Sequence, residues 1–527
     1  MDTSLTAPSA PAGTRTTGPG GRRGFGTLLA VDLWERFSFF GMAAILVLYL
    51  TAPRARGGMD MAPQSAAAVF AAYMSLSFMA GLPGGWLADR VLGARRAVLL
   101  GGSLIGCGHL VLAAPWAGTL YPGLLLVVAG TGLVKPAMAA MVAEISGAGP
   151  GRREAAFSLF YVCIQVSALV APVVTGLLAE RIAWHLGFAA AAAGMLAGLL
   201  QFTLGMRAFG DVGVRPPRPV DRAELRAVLR RVCVVAAAAG AVTVPPAVLG
   251  VLPVNAVLAV LGLATVGLPF AYLRALRRLP ADGHLTGAAQ DVRDEPGRRG
   301  GTAPGKTGAA AGDGGPTDPG PRARLGAFTA MMAASAAFWM IFAQGGSALS
   351  LFADRHTDRD LFGFEVPASW FQSLHPLFVL LVAPFLARLR AGAWQRVGTP
   401  AKFAGALAAA GTSFVLMAVA ARLAEDGPVG PSWLVLVYLL YSCGEIALAP
   451  AGLALAAAVA PPGSTSRFLA VNGLFGAVGV VIGGQLYRLT AVLPLSVYFA
   501  LVGVVVLTVA AAVTLGAGRL SRRLAVD

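Results

Sequence analysis

Long apolar runs recur along the chain, and short polar segments rich in arginine separate them. Each run approaches or exceeds the roughly 20 residues that a helix needs to cross a ~30 Å hydrocarbon core. Six runs are followed by two more and then by a further six, at about 27–50, 66–88, 97–115, 121–145, 156–179 and 187–208, then 231–250 and 253–273, then 326–352, 370–388, 401–421, 432–459, 467–488 and 493–516. The pattern predicts an all-α membrane protein with transmembrane helices in the order 6+2+6.

The polar segments set the expected domain boundaries. Residues 280–325 are crowded with Gly, Pro, Asp and Arg, and the first residues with Gly, Pro, Thr and Arg. Such compositions bury too little apolar surface to offset the entropy of ordering. We therefore predict a disordered cytoplasmic N-terminus (1–26), an N-terminal six-helix half (27–208), a linker with a two-helix hairpin (209–279), a disordered cytoplasmic linker (280–325), a C-terminal six-helix half (326–516) and a cytoplasmic tail (517–527).

Composition agrees with a lipid-embedded chain, with 57% hydrophobic and 13% charged residues and a mean hydropathy of +0.71. The net charge of +16 does not indicate nucleic-acid binding, because the arginines lie in the short links between apolar runs. They instead fix orientation by the positive-inside rule. Arginines at 22–23, 90, 95–96 and 152–153 place both termini and the long linker in the cytoplasm.

Two six-helix halves related as parallel repeats are the architecture of a major facilitator transporter. The link after the second run resembles the loop signature of that superfamily. Physically, an acid there can meet a neighbouring helix N-terminus while the arginines pair across a cytoplasmic gate. The matching residues are Gly85, Asp89, Arg90, Gly93, Arg95 and Arg96.

Ionisable residues inside the apolar runs are the main functional candidates, because a charge at the bilayer centre costs at least ~2.5–3.5 kcal/mol. Asp32, Glu35 and Arg36 are three to four positions apart and therefore share one helix face. A purely structural salt bridge that neutralises a buried arginine is the alternative for this group. Lys135 precedes Pro136, which removes a backbone donor and is expected to open the helix locally.

Six strings within or beside the apolar runs stand out in the sequence. They are D-L-W-E-R-F-S-F-F-G-M from Asp32, G-T-G-L-V-K-P from Gly130, F-S-L-F-Y-V-C-I-Q from Phe157, F-W-M-I-F-A-Q-G-G-S from Phe338, F-E-V-P-A-S-W-F-Q-S-L-H-P-L-F from Phe364 and Y-S-C-G-E-I-A-L-A-P-A-G-L from Tyr441. In this order they resemble strings of the proton-dependent oligopeptide transporters, the peptide and nitrate branch of the superfamily. The resemblance runs from about residue 27 to 515 and includes the hairpin between the halves.

The resemblance implies a proton-coupled importer of di- and tripeptides or peptide-like zwitterions that works by alternating access. Arg36 would bind the solute carboxylate, Glu35 or Asp32 would take the proton, and Glu445 would receive the amino group. Lys135 would face the same cavity. The expected protein is a monomer of a bacterial inner (plasma) membrane, with lipid, protons and a small solute as partners and with no nucleic acid, metal or cofactor.

The chain departs from the family pattern in several places. Ala343 stands where the family carries the acid that pairs with the lysine, and Asp32 stands where it usually has Glu. The resemblance also implies a set of pocket residues, some retained and some substituted. They are Tyr161 and Trp339, which are retained, Phe39, Phe40 and Phe78 in place of tyrosines, Gln165 and His375 in place of asparagines, and Asn472 in place of a tryptophan.

These departures leave an alternative open, namely a major facilitator transporter or exporter of another small solute with altered or lost proton coupling. A membrane enzyme would need a nucleophile–base pair or a metal cluster, and neither motif is found in the sequence. A non-transporting sensor is disfavoured because the charged set of Asp32, Glu35, Arg36 and Glu445 is intact.

Overall fold

The computed structural model describes residues 19–524 except 117, 146–149, 222, 229, 231–233, 235–253, 278–319, 391–396 and 462–463. The predicted span at about 231–250, apart from residue 234, therefore lies outside the described residues. The same holds for residues 1–18 and 280–319 of the segments predicted to be disordered.

The described chain is built almost entirely from long helices. In the first part these are α1 (Pro19–Thr51), α2 (Pro63–Met79), α3 (Gly81–Leu87), α4 (Ala94–Ala113), α5 (Leu120–Ile145), α6 (Pro150–Arg181), α7 (Trp184–Gly205) and α8 (Val254–Arg277). In the second part they are α9 (Gly320–Phe342), α10 (Ala348–His356), α11 (Leu374–Arg390), α12 (Thr399–Leu423), α13 (Ser432–Val459), α14 (Thr465–Leu486) and α15 (Leu495–Leu524).

Thirteen helical stretches of the described residues are long and apolar enough to cross a bilayer, and they match predicted spans. The ends differ from prediction at two places. The helix α1 already begins at Pro19, within the segment predicted to be disordered, and α9 begins at Gly320, inside the predicted linker. Backbone hydrogen bonding carries a helix past the end of its apolar run, because it does not require apolar side chains.

Two spans are interrupted along their length. The second span is divided at Ala80 into α2 and α3. The span predicted at 326–352 is divided into α9 and α10 by a 3₁₀ turn at Ala343–Gly346. Irregular backbone at membrane depth is tolerated only where protein or a water-filled cavity surrounds it. Such interruptions are typical of the spans that form transporter binding sites.

The chain forms two compact units. Unit 1 comprises Met1–Pro63, Met79–Leu252 and Arg359–Leu380, and unit 2 comprises Gln64–Phe78, Pro253–Asp358 and Leu381–Asp527. Each unit thus contains one segment that chain order would assign to the other half. The segment in unit 1 holds the antiparallel strands β1 (Asp360–Leu361) and β2 (Phe364–Glu365) and a 3₁₀ turn at Ala368–Ser373.

Close contacts between glycines hold the helices of unit 1 together. A Cβ added at Gly84 would overlap the backbone of Gly132, and one at Gly101 would lie 2.7 Å from the carbonyl oxygen of Gly130. Small residues allow such close approach and are enriched where helices pack together in lipid. The two glycines of the G-T-G-L-V-K-P string thus pack α5 against α3 and α4.

Glycines play the same part in unit 2. A Cβ at Gly479 of α14 would lie 2.9 Å from the Met340 backbone nitrogen of α9. One at Gly411 of α12 would lie 3.0 Å from the carbonyl oxygen of Gly503 in α15. Nearly all of α2, residues Gln64–Phe78, belongs to this unit, and a Cβ at Gly346 would overlap the ring of Phe70.

Candidate functional site

The charged group of α1 forms a compact cluster. The Nε atom of Arg36 lies 3.5 Å from Oδ1 of Asp32 and 3.4 Å from Oε2 of Glu35. Both carboxyl side chains are buried, with Asp32 4% and Glu35 2% exposed. The predicted sharing of one helix face is therefore confirmed, and one arginine serves two acids.

Each acid of this cluster keeps one oxygen outside the ion pair. Oδ2 of Asp32 and Oε1 of Glu35 are buried and accept no hydrogen bond from the residues that the structure describes. A buried carboxylate oxygen without a hydrogen-bond donor is unfavourable. These two oxygens are the part of the cluster that the ion pair with Arg36 leaves unsatisfied.

Helix α6 is fixed against this part of α1 by two hydrogen bonds. The hydroxyl of Ser167 donates to the carbonyl oxygen of Leu33 at 2.9 Å, and the hydroxyl of Thr175 donates to that of Gly41 at 3.0 Å. The same helix carries Tyr161, which is exposed, and Gln165, which is buried. Both predicted pocket residues thus belong to the unit that holds the acid–arginine cluster.

Lys135 of α5 lies in unit 1 with the cluster. Its Nζ atom is 4.0 Å from the centre of the Phe39 ring. The charges of Asp32, Glu35 and Arg36 all act on it, so the four ionisable groups form one electrostatic system. The expected local opening of the helix is not found, because α5 runs through Pro136 as a continuous helix.

The residues predicted to line the pocket do not all belong to one unit. Phe39 and Phe40 of unit 1 are in edge-to-face contact, with ring centres 5.3 Å apart. His375, in the first turn of α11, also belongs to unit 1. Phe78 belongs to unit 2 and is largely exposed.

Unit 2 holds Glu445, the predicted ligand of the solute amino group. Glu445 of α13 is buried, and it lies one turn after Tyr441. The Tyr441 ring is 6.1 Å from that of Phe342, which is in turn 5.1 Å from Trp339. Glu445 thus lies on the same helix as a tyrosine that is one of three aromatic rings in successive contact.

Asn472 of α14 is another predicted pocket residue of unit 2. Its Oδ1 atom lies 3.0 Å from the position that a Cβ at Gly452 of α13 would take. Asn472 therefore lies at the packing contact between α13 and α14, and the Trp339 ring contacts the same α14 one turn later, 3.8 Å from a Cβ added at Gly476.

Sequence reasoning missed a polar network around the 3₁₀ turn at Ala343–Gly346, between α9 and α10. The hydroxyl of Tyr498 donates to Oε1 of Gln344 at 2.6 Å. The carbonyl oxygen of Gly345 accepts from the hydroxyls of Tyr438, at 3.2 Å, and Ser350, at 2.9 Å. The string Q-G-G-S after Ala343 was the available signal, because consecutive glycines in an apolar run weaken the helix and expose carbonyls.

The loop signature makes contacts within unit 1. Arg95 donates from Nε to the carbonyl oxygen of Val212 at 2.7 Å, and Nη2 of Arg90 lies 3.2 Å from Oε1 of Glu224. Gly93 has a φ of +77°, which favours glycine. Gly93 also precedes the first turn of α4, and Asp89 is exposed and does not cap that helix. Arg90 and Arg95 thus bind the segment that follows α7. Pairing across a cytoplasmic gate remains an expectation from the signature.

The chain is similar to known transporters along most of its length. The model of the POT family matches residues 95–260 and 318–505. An uncharacterized transporter, YclF, of Bacillus subtilis (strain 168) is 32% identical over 92% of this chain and 91% of its own. A peptide transporter, YePEPT, of Yersinia enterocolitica subsp. palearctica is 33% identical over 85% of each chain.

A solved structure of a member of the same family superimposes on this chain. The crystal structure of a POT family transporter in complex with 5-aminolevulinic acid superimposes with a TM-score of 0.84 and is 27% identical. The match covers 95% of this chain and 97% of that chain. The fold is therefore of the major facilitator type.

Proposed function

Because this chain belongs to the POT family, we propose that it is a proton-coupled secondary transporter that imports di- and tripeptides or related zwitterionic solutes by alternating access. Relatives from Lactococcus lactis and Yersinia enterocolitica are named as transporters of peptides and not as enzymes. The observation that carries the proposal is the buried ion pair of Arg36 with both Asp32 and Glu35.

The charge balance of this cluster explains how a proton and a solute carboxylate bind together. Asp32 and Glu35 carry two negative charges, and Arg36 and Lys135 carry two positive charges. A proton on either acid leaves one positive charge in surplus and loosens the hold on Arg36. A solute carboxylate then neutralises the surplus, and Arg36 presents a planar fork for it. Each ligand therefore favours the other.

Glu445 takes the other end of the solute in this proposal. A carboxylate buried in a membrane span is a functional candidate by default, and this one lies beside an aromatic group in unit 2. It would bind a free amino group.

Two relatives support a zwitterionic solute. YePEPT is named a peptide transporter. The solved relative is in complex with 5-aminolevulinic acid, a small molecule with one amino group and one carboxyl group. We extend the same chemistry to this chain, with Phe39, Phe40, Gln165, Tyr161 and Trp339 as residues of the pocket wall. We also propose that the protein is a monomer and that both termini lie in the cytoplasm.

Loss of proton coupling is the alternative, and Ala343 is the observation that favours it. Uptake of a dipeptide library into proteoliposomes, with and without an inward proton gradient, separates the two. The proposal expects concentrative uptake of dipeptides only with the gradient. Equal uptake with and without the gradient would favour the uncoupled transporter, and no uptake of any dipeptide would overturn the peptide assignment.

A further inference from the structure

We propose that Phe39 is a positioning residue that holds the Lys135 ammonium group on its ring face and thereby sets the affinity for the solute carboxylate. This inference rests on the proposed function, because it names the residue that tunes the same site. The observation behind it is the 4.0 Å distance between Nζ of Lys135 and the centre of the Phe39 ring. Ammonium groups are attracted to an aromatic face within about 6 Å of its centre.

The ring is held firmly on α1. Phe39 is 6% exposed, and its edge-to-face contact with Phe40 has ring planes at 83°. In such a contact the edge of one ring meets the face of the other, which fixes the ring orientation. Phe39 therefore presents one defined face to the ammonium group.

The lysine is held equally firmly from α5. Gly130 and Gly132 pack against the backbones of α4 and of Ala80, where a Cβ would find no room. The helix has no freedom to slide in this stretch, so the base of the Lys135 side chain is fixed within two turns of those contacts. Ring and ammonium thus come from two different helices, and the backbone of the helix that carries the lysine is packed against α4 and Ala80.

An aromatic partner has a different electrostatic effect from an acidic one. It attracts the cation through its quadrupole and adds no formal charge. The cluster of Asp32, Glu35, Arg36 and Lys135 therefore remains at zero formal charge before proton uptake and at +1 after it. A carboxylate in place of the ring would return the protonated cluster to zero and remove the attraction for a solute anion.

The contact is tested by fluorination of the ring, which withdraws π-electron density and changes shape little. Phenylalanines with one, two and three fluorine atoms are introduced at position 39, and dialanine uptake is measured in proteoliposomes with an inward proton gradient. We expect the KM for dialanine to rise stepwise, by about three- to tenfold overall, with a smaller change in the maximal rate. Phe39→Tyr should retain the parental KM, and Phe39→Leu should not.

Two controls separate this role from simple packing. The same fluorinated series at Phe37, whose ring packs against Trp34 and Gly194, should leave KM unchanged. In a Lys135→Met background, the KM for dialanine should no longer depend on the number of fluorine atoms at position 39. The inference would be overturned, with peptide transport intact, if KM did not rise with fluorination in the parent, or if it rose equally without the lysine.

A thermal double-mutant cycle keeps the two proposals distinguishable. Tm is measured for the parent, Phe39→Leu, Lys135→Met and the double variant, all in detergent. Non-additive Tm changes would support the contact even if the parent failed to transport dialanine, in which case only the peptide assignment would fall. Additive changes would overturn the inference.

Discussion

Glu180 and Ser369 are joined twice: Oε1 of Glu180 accepts hydrogen bonds from the backbone N–H of Ser369 at 3.0 Å and from its hydroxyl at 2.6 Å. The other oxygen, Oε2, accepts from the N–H of Ala368 at 2.7 Å and lies 4.0 Å from Nη1 of Arg359. A carboxylate at the end of α6 thus caps the 3₁₀ turn at Ala368–Ser373. This contact explains why a segment that follows α10 in the chain belongs to unit 1.

Removing this cap is expected to destabilise the protein. Glu180→Ala leaves buried donors of Ala368 and Ser369 without an acceptor and should lower the free energy of unfolding by about 3 kcal/mol, while Ser369→Ala should lower it by about 1 kcal/mol. Thermal unfolding in detergent checks both changes.

The exposed ion pair of Arg422 with Glu425 provides the matched control. Glu425→Ala should change the stability by less than about 1 kcal/mol, because surface pairs contribute little. A Tm for Glu180→Ala as high as that for Glu425→Ala would show that the cap does not hold the segment.

The glycine contact between α5 and the break in the second span makes a further prediction. A Cβ at Gly132 would lie 2.5 Å from the carbonyl oxygen of Ala80, so Gly132→Ala must push two backbones apart. We expect a loss of about 1–3 kcal/mol and weaker dialanine binding, since Lys135 moves with the helix.

Gly473 of α14 is the control for this change, because nothing lies within 4 Å of a Cβ added there. Gly473→Ala should be neutral or stabilise the helix by up to about 1 kcal/mol. If both variants melt at the parental temperature, the close approach of α5 does not limit the packing.

The acid–arginine cluster predicts that Arg36→Lys is severely impaired in uptake. A guanidinium can engage an acid and a solute carboxylate through separate N–H groups, and an ammonium group is a compact point charge without that fork. Uptake of dialanine and correct folding are measured together. Near-parental uptake by the lysine variant would contradict the assignment of Arg36 as the carboxylate ligand.

The composition of residues 280–325 predicts that deletion of 285–318 leaves transport unchanged, because the segment has the composition of a solvated linker. Initial uptake rates are compared at equal amounts of inserted protein. A variant that inserts normally and fails to transport would assign a gating or binding role to this segment.

The sequence predicted the features that depend on local spacing. Asp32, Glu35 and Arg36 cluster because residues three and four apart share a helix face. The contact of Lys135 with Phe39 was not predicted, since it is a tertiary contact between two helices that are far apart in the sequence. The network on Gly345 was missed for a related reason, because hydropathy does not report which tyrosines reach a carbonyl at a helix break.

The division into units also exceeded what the sequence could predict. Apolar runs place Phe78 in the N-terminal half and His375 in the C-terminal half, whereas contacts place them in unit 2 and unit 1 respectively. The contacts responsible are tertiary, such as Gly346 with Phe70 and Glu180 with Ser369. No periodicity along the chain encodes them.

Proton entry driven by a solute gradient tests the central claim most directly. Proteoliposomes containing a pH-sensitive dye are prepared without a pH gradient, and dialanine or its N-acetylated form is added outside. We predict internal acidification by dialanine in the parent and in the control Glu425→Gln. We predict none with the N-acetylated form, and none in Glu445→Gln, which lacks the charge for the amino group. Entry of dialanine without acidification, or equal responses to both compounds, would contradict the account.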